Sequence, residues 1–145
     1  SGSVLDTICR SVMWRHGLDY NHGTGHGVGC FLNVHEGPQN LSPRSSYYPL
    51  EPNMVVSIEP GCYHENAFGI RIENLARIVA DDNEKMLKFS ILTLVPVDKR
   101  LIDKYLLTDE EAEWLNTYHR EVCQKISPYL TEEEQIWLQE ACSSL

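Results

Sequence analysis

The spacing of apolar residues changes period several times along the chain. Leu5, Ile8 and Val12 recur at helical spacing, with Asp6 near the start and Gly17 beyond the end. This predicts a short amphipathic helix whose apolar stripe packs against a sheet. Phe31–Val34 reads as a strand, as do the Val- and Ile-rich runs Val55–Glu59 and Phe68–Val79. In the last run Phe68, Ile70 and Ile72 alternate with Gly69, Arg71 and Glu73. Arg71 and Glu73 therefore share one face and the apolar residues the other. Phe89–Val97 predicts a further strand, ended at Pro96. The tail turns helical. Thr108 and Glu111 form a capping box ahead of Leu115, Tyr118, Val122 and Ile126, and Pro128 stops that helix. Thr131 and Glu134 form a second box ahead of Trp137, Leu138 and Ala141.

Between these elements lie polar segments. Residues 22–29 place glycine at every second position, which permits close backbone approaches. No third glycine completes a dinucleotide fingerprint there. Gln39–Asn53 predicts an exposed loop and Asp81–Lys85 a charged turn. Ser1-Gly2-Ser3 stands where an initiator Met is expected and reads as a remnant foreign to the natural chain.

Length allows one domain with a core: 145 residues, 42% hydrophobic and 23% charged. A formal net charge of -9 argues against nucleic acid and against an anionic membrane surface. No apolar run is long enough to span a bilayer. The cysteines (Cys9, Cys30, Cys62, Cys123 and Cys142) are odd in number and scattered, which predicts reduced thiols in a cytosolic setting.

The candidate chemistry lies in three residues: His26 between glycines, Glu59 in Ser57-Ile58-Glu59-Pro60-Gly61, and Glu73 in Arg71-Ile72-Glu73-Asn74. One imidazole and two carboxylates are the donors that hold borderline-hard divalent metals, although such a site usually has more oxygens. Glu59 and Glu73 are symmetric about Asn66. An antiparallel hairpin centred there would oppose the two carboxylates, and like charges directly opposed destabilise a sheet unless a cation lies between them. Arg71 offers a plainer solution, a surface ion-pair ladder. There is no His-Glu-x-x-His and no Gly-x-Ser-x-Gly. His16, His64 and His119 are assigned no role.

Taken together, His22–Gly29, Asn33–Pro38, Val56–Gly61 and Phe68–Asn74 resemble the pita-bread metallopeptidases, in family order. The tail segments Leu92–Pro96, Leu101–Asp103, Trp114–His119 and Leu130–Glu134 resemble the C-terminal extension of cytosolic Xaa-Pro aminopeptidases. The resemblance implies an α+β fold: the C-terminal portion of a pita-bread domain (antiparallel sheet with helices on one side) over residues 4–98, then a helical extension over 99–145. It implies His26, Glu59 and Glu73 as ligands of two divalent ions, with manganese the metal favoured by hard carboxylates. Glu73 would bridge the ions, and Glu59 would double as general base for a water shared between them. His35 would bind substrate and stabilise the oxyanion; His22 would line the proline side of the pocket. The substrates implied are peptides with proline second, and the whole enzyme a cytoplasmic homodimer.

Two further aspartate ligands belong to that family site on a preceding strand. Asp6, Asp19 and Asp81-Asp82 lack their context. The expectation is therefore a C-terminal fragment, inactive alone, that binds manganese weakly or not at all. Rival readings are a prolidase-type dipeptidase and a non-catalytic pita-bread binding module. Asn53 stands where the family often has glycine, a position Asn tolerates.

Overall fold

A computed structural model describes every residue except Leu32, Ser45, Ser46, Asn83 and Glu84. The fold is mixed helix and antiparallel sheet, in two compact units, Ser1–Thr93 and Leu94–Leu145.

The first unit opens with α1 (Gly2–Trp14). The residues set aside as foreign are thus part of its first turn. The predicted apolar stripe is not what packs: Ile8 and Val12 are 60% and 56% exposed, whereas Gly2, Asp6 and Arg10 are buried. The reason is local. Gly2 lies so close to Asn40 that an added Cβ would sit 1.7 Å from its carbonyl oxygen. That approach brings the Asp6–Arg10 face inward.

Next come β1 (Gly25–His26) and β2 (Asn40–Leu41), paired antiparallel. Phe31–Val34 is not a strand among its described residues, and Phe31 is 96% exposed; Leu32 lies outside them. The predicted loop 39–53 contains β2, with Leu41 in the core; its Ser45 and Ser46 lie outside the described residues.

The centre is a long hairpin. Strands β3 (Val55–Ile58), β4 (Gly61–His64), β5 (Phe68–Arg71) and β6 (Asn74–Ala80) pair as β3–β6 and β4–β5. Val55 opposes Arg77, Ile58 opposes Asn74, Gly61 opposes Arg71 and His64 opposes Phe68, so one register centred on residue 66 runs throughout. Asn66 holds the left-handed turn conformation at φ 58°, as Asn53 does at 72°. Strand β7 (Leu87–Ile91) flanks β6, shorter than the predicted 89–97. In the predicted turn 81–85, Asn83 and Glu84 lie outside the described residues, and the Asp81 N–H donates to Met86 O at 2.8 Å.

The predicted run 68–79 breaks at Ile72-Glu73, between β5 and β6. Its alternating apolar face stays open: Phe68, Ile70 and Ile72 are about half exposed. The core of this unit is Tyr20, Leu41, Val56, Ala76 and Ile78, beside buried Asp6, Arg10, Thr24, Gln39 and Ser57.

The second unit carries α2 (Asp109–Ile126) and α3 (Glu132–Ala141). Both predicted capping boxes are closed on both sides, by Thr108 with Glu111 and by Thr131 with Glu134. Pro128 follows in a 3-10 turn, Ser127–Tyr129. Leu115, Tyr118, Val122, Leu138 and Cys142 form the core around fully buried His119, while Trp137 is 62% exposed. All five cysteines are free, and no helix among the described residues is long and apolar enough to cross a membrane.

Candidate metal centre

The hairpin ladder is interrupted between β3 and β4. Pro60 has no N–H to give at a position where the ladder would use one, while the Glu59 N–H, pointing like Val55 to the β1 side, donates to Thr24 O at 2.7 Å. Glu59 and Glu73 face each other in that interruption. One ligand atom from each of His26, Glu59 and Glu73 lies within 4.8 Å of the others. His26 comes from β1, bound alongside β3 through the Gly27–Val56 bridge and the Val28 N–H to Val55 O bond. Such proximity needs glycine: a Cβ on Gly25 would meet Ser57 O at 1.9 Å.

The donor atoms have defined roles. His26 Nδ1 lies 2.9 Å from Gly27 O. A carbonyl only accepts, so Nδ1 carries the proton and Nε2 is the nitrogen left for a ligand. That Nε2 stands 3.2 Å from Glu59 Oε1. Two electron-rich atoms so close repel unless positive charge lies with them. The nearest fixed cation is weakly placed: Arg71 Nε is 4.0 Å from Glu59 Oε2, longer than a hydrogen bond. The ladder expected of Arg71 is therefore marginal, and the donor set fits a divalent metal.

His35 stands beside this group, its ring centroid 4.2 Å from that of His26. A cleft of about 390 Å³ opens alongside, lined by His26, Val28, Val34, Glu73, Leu75 and Thr93. His22 lines a different cleft, with Arg10, Trp14, Asp19 and Arg44. Its Nδ1–H donates to Gly23 O at 2.7 Å, and its Nε2 accepts from the Tyr63 hydroxyl at 2.8 Å.

Sequence reasoning missed what holds these residues. Arg10, 4% exposed, donates twice to Asp6, at 2.9 and 3.0 Å. It also donates to Asp19 Oδ1 at 2.9 Å, Tyr20 O at 2.6 Å and His22 O at 2.7 Å. Asp6 Oδ1 in turn accepts the Thr24 N–H at 3.1 Å and hydroxyl at 2.7 Å. Burial alone would raise the Asp6 pKa, but the Arg10 and Thr24 hydrogen bonds outweigh it and hold the carboxyl below its ordinary value. Asp19 is held at about 2 by hydrogen bonds from Trp14 and Arg10. The i,i+4 spacing of Asp6 and Arg10 was the available signal. Ser57 was missed too: its hydroxyl donates to Glu59 Oε1 at 3.0 Å.

Residues 1–80 match metallopeptidase family M24, and residues 85–145 match the C-terminal region of peptidase M24. The chain belongs to metallopeptidase family M24. It is 48% identical to aminopeptidase P2 of Arabidopsis thaliana over 146 residues, 94% of this chain and 21% of that protein. It is 44% identical to the Xaa-Pro aminopeptidase app-1 of Caenorhabditis elegans, over 99% of this chain and 25% of that one. A C. elegans X-prolyl aminopeptidase, described as a cytosolic enzyme with a di-nuclear active site, superposes with a TM-score of 0.91 at 43% identity over 99% of this chain. A Pyrococcus horikoshii prolidase reaches a TM-score of 0.51 at 34% identity over 61% of this M24 chain. The chain spans about a fifth to a quarter of the length of its curated Xaa-Pro relatives.

Proposed function

We propose that this chain supplies His26, Glu59 and Glu73 to the two-metal site of an Xaa-Pro aminopeptidase, with the remaining carboxylates coming from outside these residues. The observation that carries the reading is the convergence of those three side chains, within 4.8 Å, at the break in the hairpin. The likeness to Xaa-Pro enzymes also runs through the helical unit, which favours them over a dipeptidase. We place that enzyme in the cytosol as a homodimer, and assign residues 4–98 to its pita-bread domain and 99–145 to its extension.

Two divalent ions bound there would supply positive charge and a water acidic enough to attack near neutral pH, and the hard oxygen donors favour manganese. The side chains do the rest. Glu59, with Oε1 held by Ser57, takes the proton of the attacking water and returns it to the proline nitrogen as the peptide bond breaks. His35, beside His26, donates a hydrogen bond to the carbonyl oxygen that gains charge. His22, pinned by Gly23 and Tyr63, presents an immobile wall toward the residue after the cut.

The test is calorimetric titration of the 145-residue chain with Mn²⁺, beside release of the first residue from a peptide with proline second. The chain alone should bind manganese weakly and release nothing. The full-length protein carrying it should bind two ions and cleave. Cleavage confined to dipeptides would replace this reading with a dipeptidase. Metal binding without any cleavage would make it a binding module.

A further inference from the structure

We infer that Ser57 is a positioning residue for Glu59, selecting which carboxylate oxygen faces the metals. The inference rests on the function proposed above and adds a residue to it. Ser57 is fully buried on β3. Its hydroxyl accepts the His26 N–H at 3.0 Å and donates its single proton to Glu59 Oε1 at 3.0 Å. One hydroxyl thus ties the backbone of the imidazole ligand to the side chain of the carboxylate ligand, although the two lie on different segments.

With its donor and acceptor both engaged, that hydroxyl has one orientation. Glu59 Oε1 is held by this bond, 3.2 Å from His26 Nε2, and Oε2 is left on the side of Arg71. The carboxylate's torsion would otherwise be broad, since the bond to a planar terminal group has soft wells. The Glu59 backbone is fixed independently by Thr24 O. Ser57 therefore controls the side-chain rotation that the backbone bond leaves free. Partners that orient a metal ligand in this way are worth about 10–100-fold in metal affinity.

Removing the hydroxyl also takes the acceptor from the part-buried His26 N–H, so loss of stability alone would prove nothing. The experiment compares wild type, Ser57→Ala and Ser57→Thr in the full-length protein. The readouts are Co²⁺ affinity, the Co²⁺ visible absorption spectrum, melting temperature in EDTA, and kcat and KM. Ser57→Ala should bind Co²⁺ about 10–100-fold more weakly, change its spectrum, and lower kcat with KM little altered. Ser57→Thr, which keeps the hydroxyl, should restore affinity, spectrum and kcat. A Ser57→Ala protein with wild-type affinity and spectrum would overturn the inference, even if it melts lower in EDTA, because the role would then be structural only. Failure of Ser57→Thr to restore the spectrum would overturn it also. If wild type itself binds no Co²⁺, the proposed function falls, and this inference with it.

Discussion

Replacing Arg10 by Met keeps a long side chain but removes the cation beneath the site. Asp6, 1% exposed, would be left a buried carboxylate without its partner. Breaking a buried pair from one side costs about 3–5 kcal/mol. Tyr20 O and His22 O would each lose an Arg10 donor, and a buried orphan costs about 1–3 kcal/mol where water does not replace it. The total reaches about 5 kcal/mol or more, comparable to the whole stability of many domains. Arg10→Met should therefore be largely unfolded or severely destabilised. Asp6→Leu/Arg10→Met should recover part of the loss, limited by the Thr24 N–H and hydroxyl that Asp6 serves. The pH dependence makes the test specific. In wild type the Asp6 pKa lies below its unfolded value, so its contribution is complete above that value and is lost as pH falls. Without Arg10, burial dominates and the folded pKa rises above the unfolded one. Stability is then full at low pH and falls as pH rises. The stability gap between wild type and Arg10→Met should widen from about pH 4 upward, by at most about 1.4 kcal/mol per unit. Urea unfolding followed by circular dichroism at several pH values measures it. A variant within about 1 kcal/mol of wild type, or a gap that narrows with rising pH, would refute the reasoning.

Three other outcomes can be checked alongside. His119 is fully buried; burial first, then the nearby Lys99 charge, lowers its pKa below the ordinary imidazole value. Its neutral form is therefore favoured by folding, and stability should fall as pH drops through the unfolded value. His119→Gln, which keeps an acceptor for the Val97 N–H, should flatten that limb in urea titrations. Glu73→Gln removes one of two opposed charges, so it should raise the melting temperature in EDTA; if Glu73 is a metal ligand, it should also lose the rise in melting temperature that the proposed function predicts for the full-length protein with Mn²⁺. A higher melting point in both conditions would contradict the metal role. Leu138→Ala, at a side chain 2% exposed, should cost about 2–5 kcal/mol in chemical unfolding.

Legibility from sequence followed locality. The capping boxes of α2 and α3 depend on residues three apart, and both form as their spacing predicts. The hairpin register could be read because two motifs are symmetric about a single turn, and Asn66 supports the left-handed residue there. The helix face of α1 was misread for a physical reason. Leu5, Ile8 and Val12 satisfy the helical period, but a period does not say which face is covered within these residues, and Ile8 and Val12 stay exposed. What is covered is polar, because Gly2 lets the helix backbone close on Asn40 and Arg10 finds several acceptors at once. Ser57 could be suspected only once β1 was known to lie along β3. Such cross-chain adjacency leaves no periodic trace.

The site and the break in the sheet have a common origin. In this register Met54 and Ile78 bond across the ladder, so Glu59 and Glu73 are a pair whose backbones do not bond to one another and whose side chains lie close, which makes their like charges costly. Pro60 interrupts the ladder because it cannot donate, and the Glu59 N–H bonds on the other side to Thr24, whose own position is fixed by Asp6 and hence by Arg10. The segment carrying His26 bonds to the side of β3 away from β6, and an imidazole arrives where two carboxylates already face each other. A register slip of one residue would turn Glu73 to the opposite face while leaving the backbone ladder intact. The geometry of the candidate metal centre is thus decided by the turn at Asn66 and by the buried Asp6–Arg10 pair, neither of which touches the side chains of His26, Glu59 or Glu73.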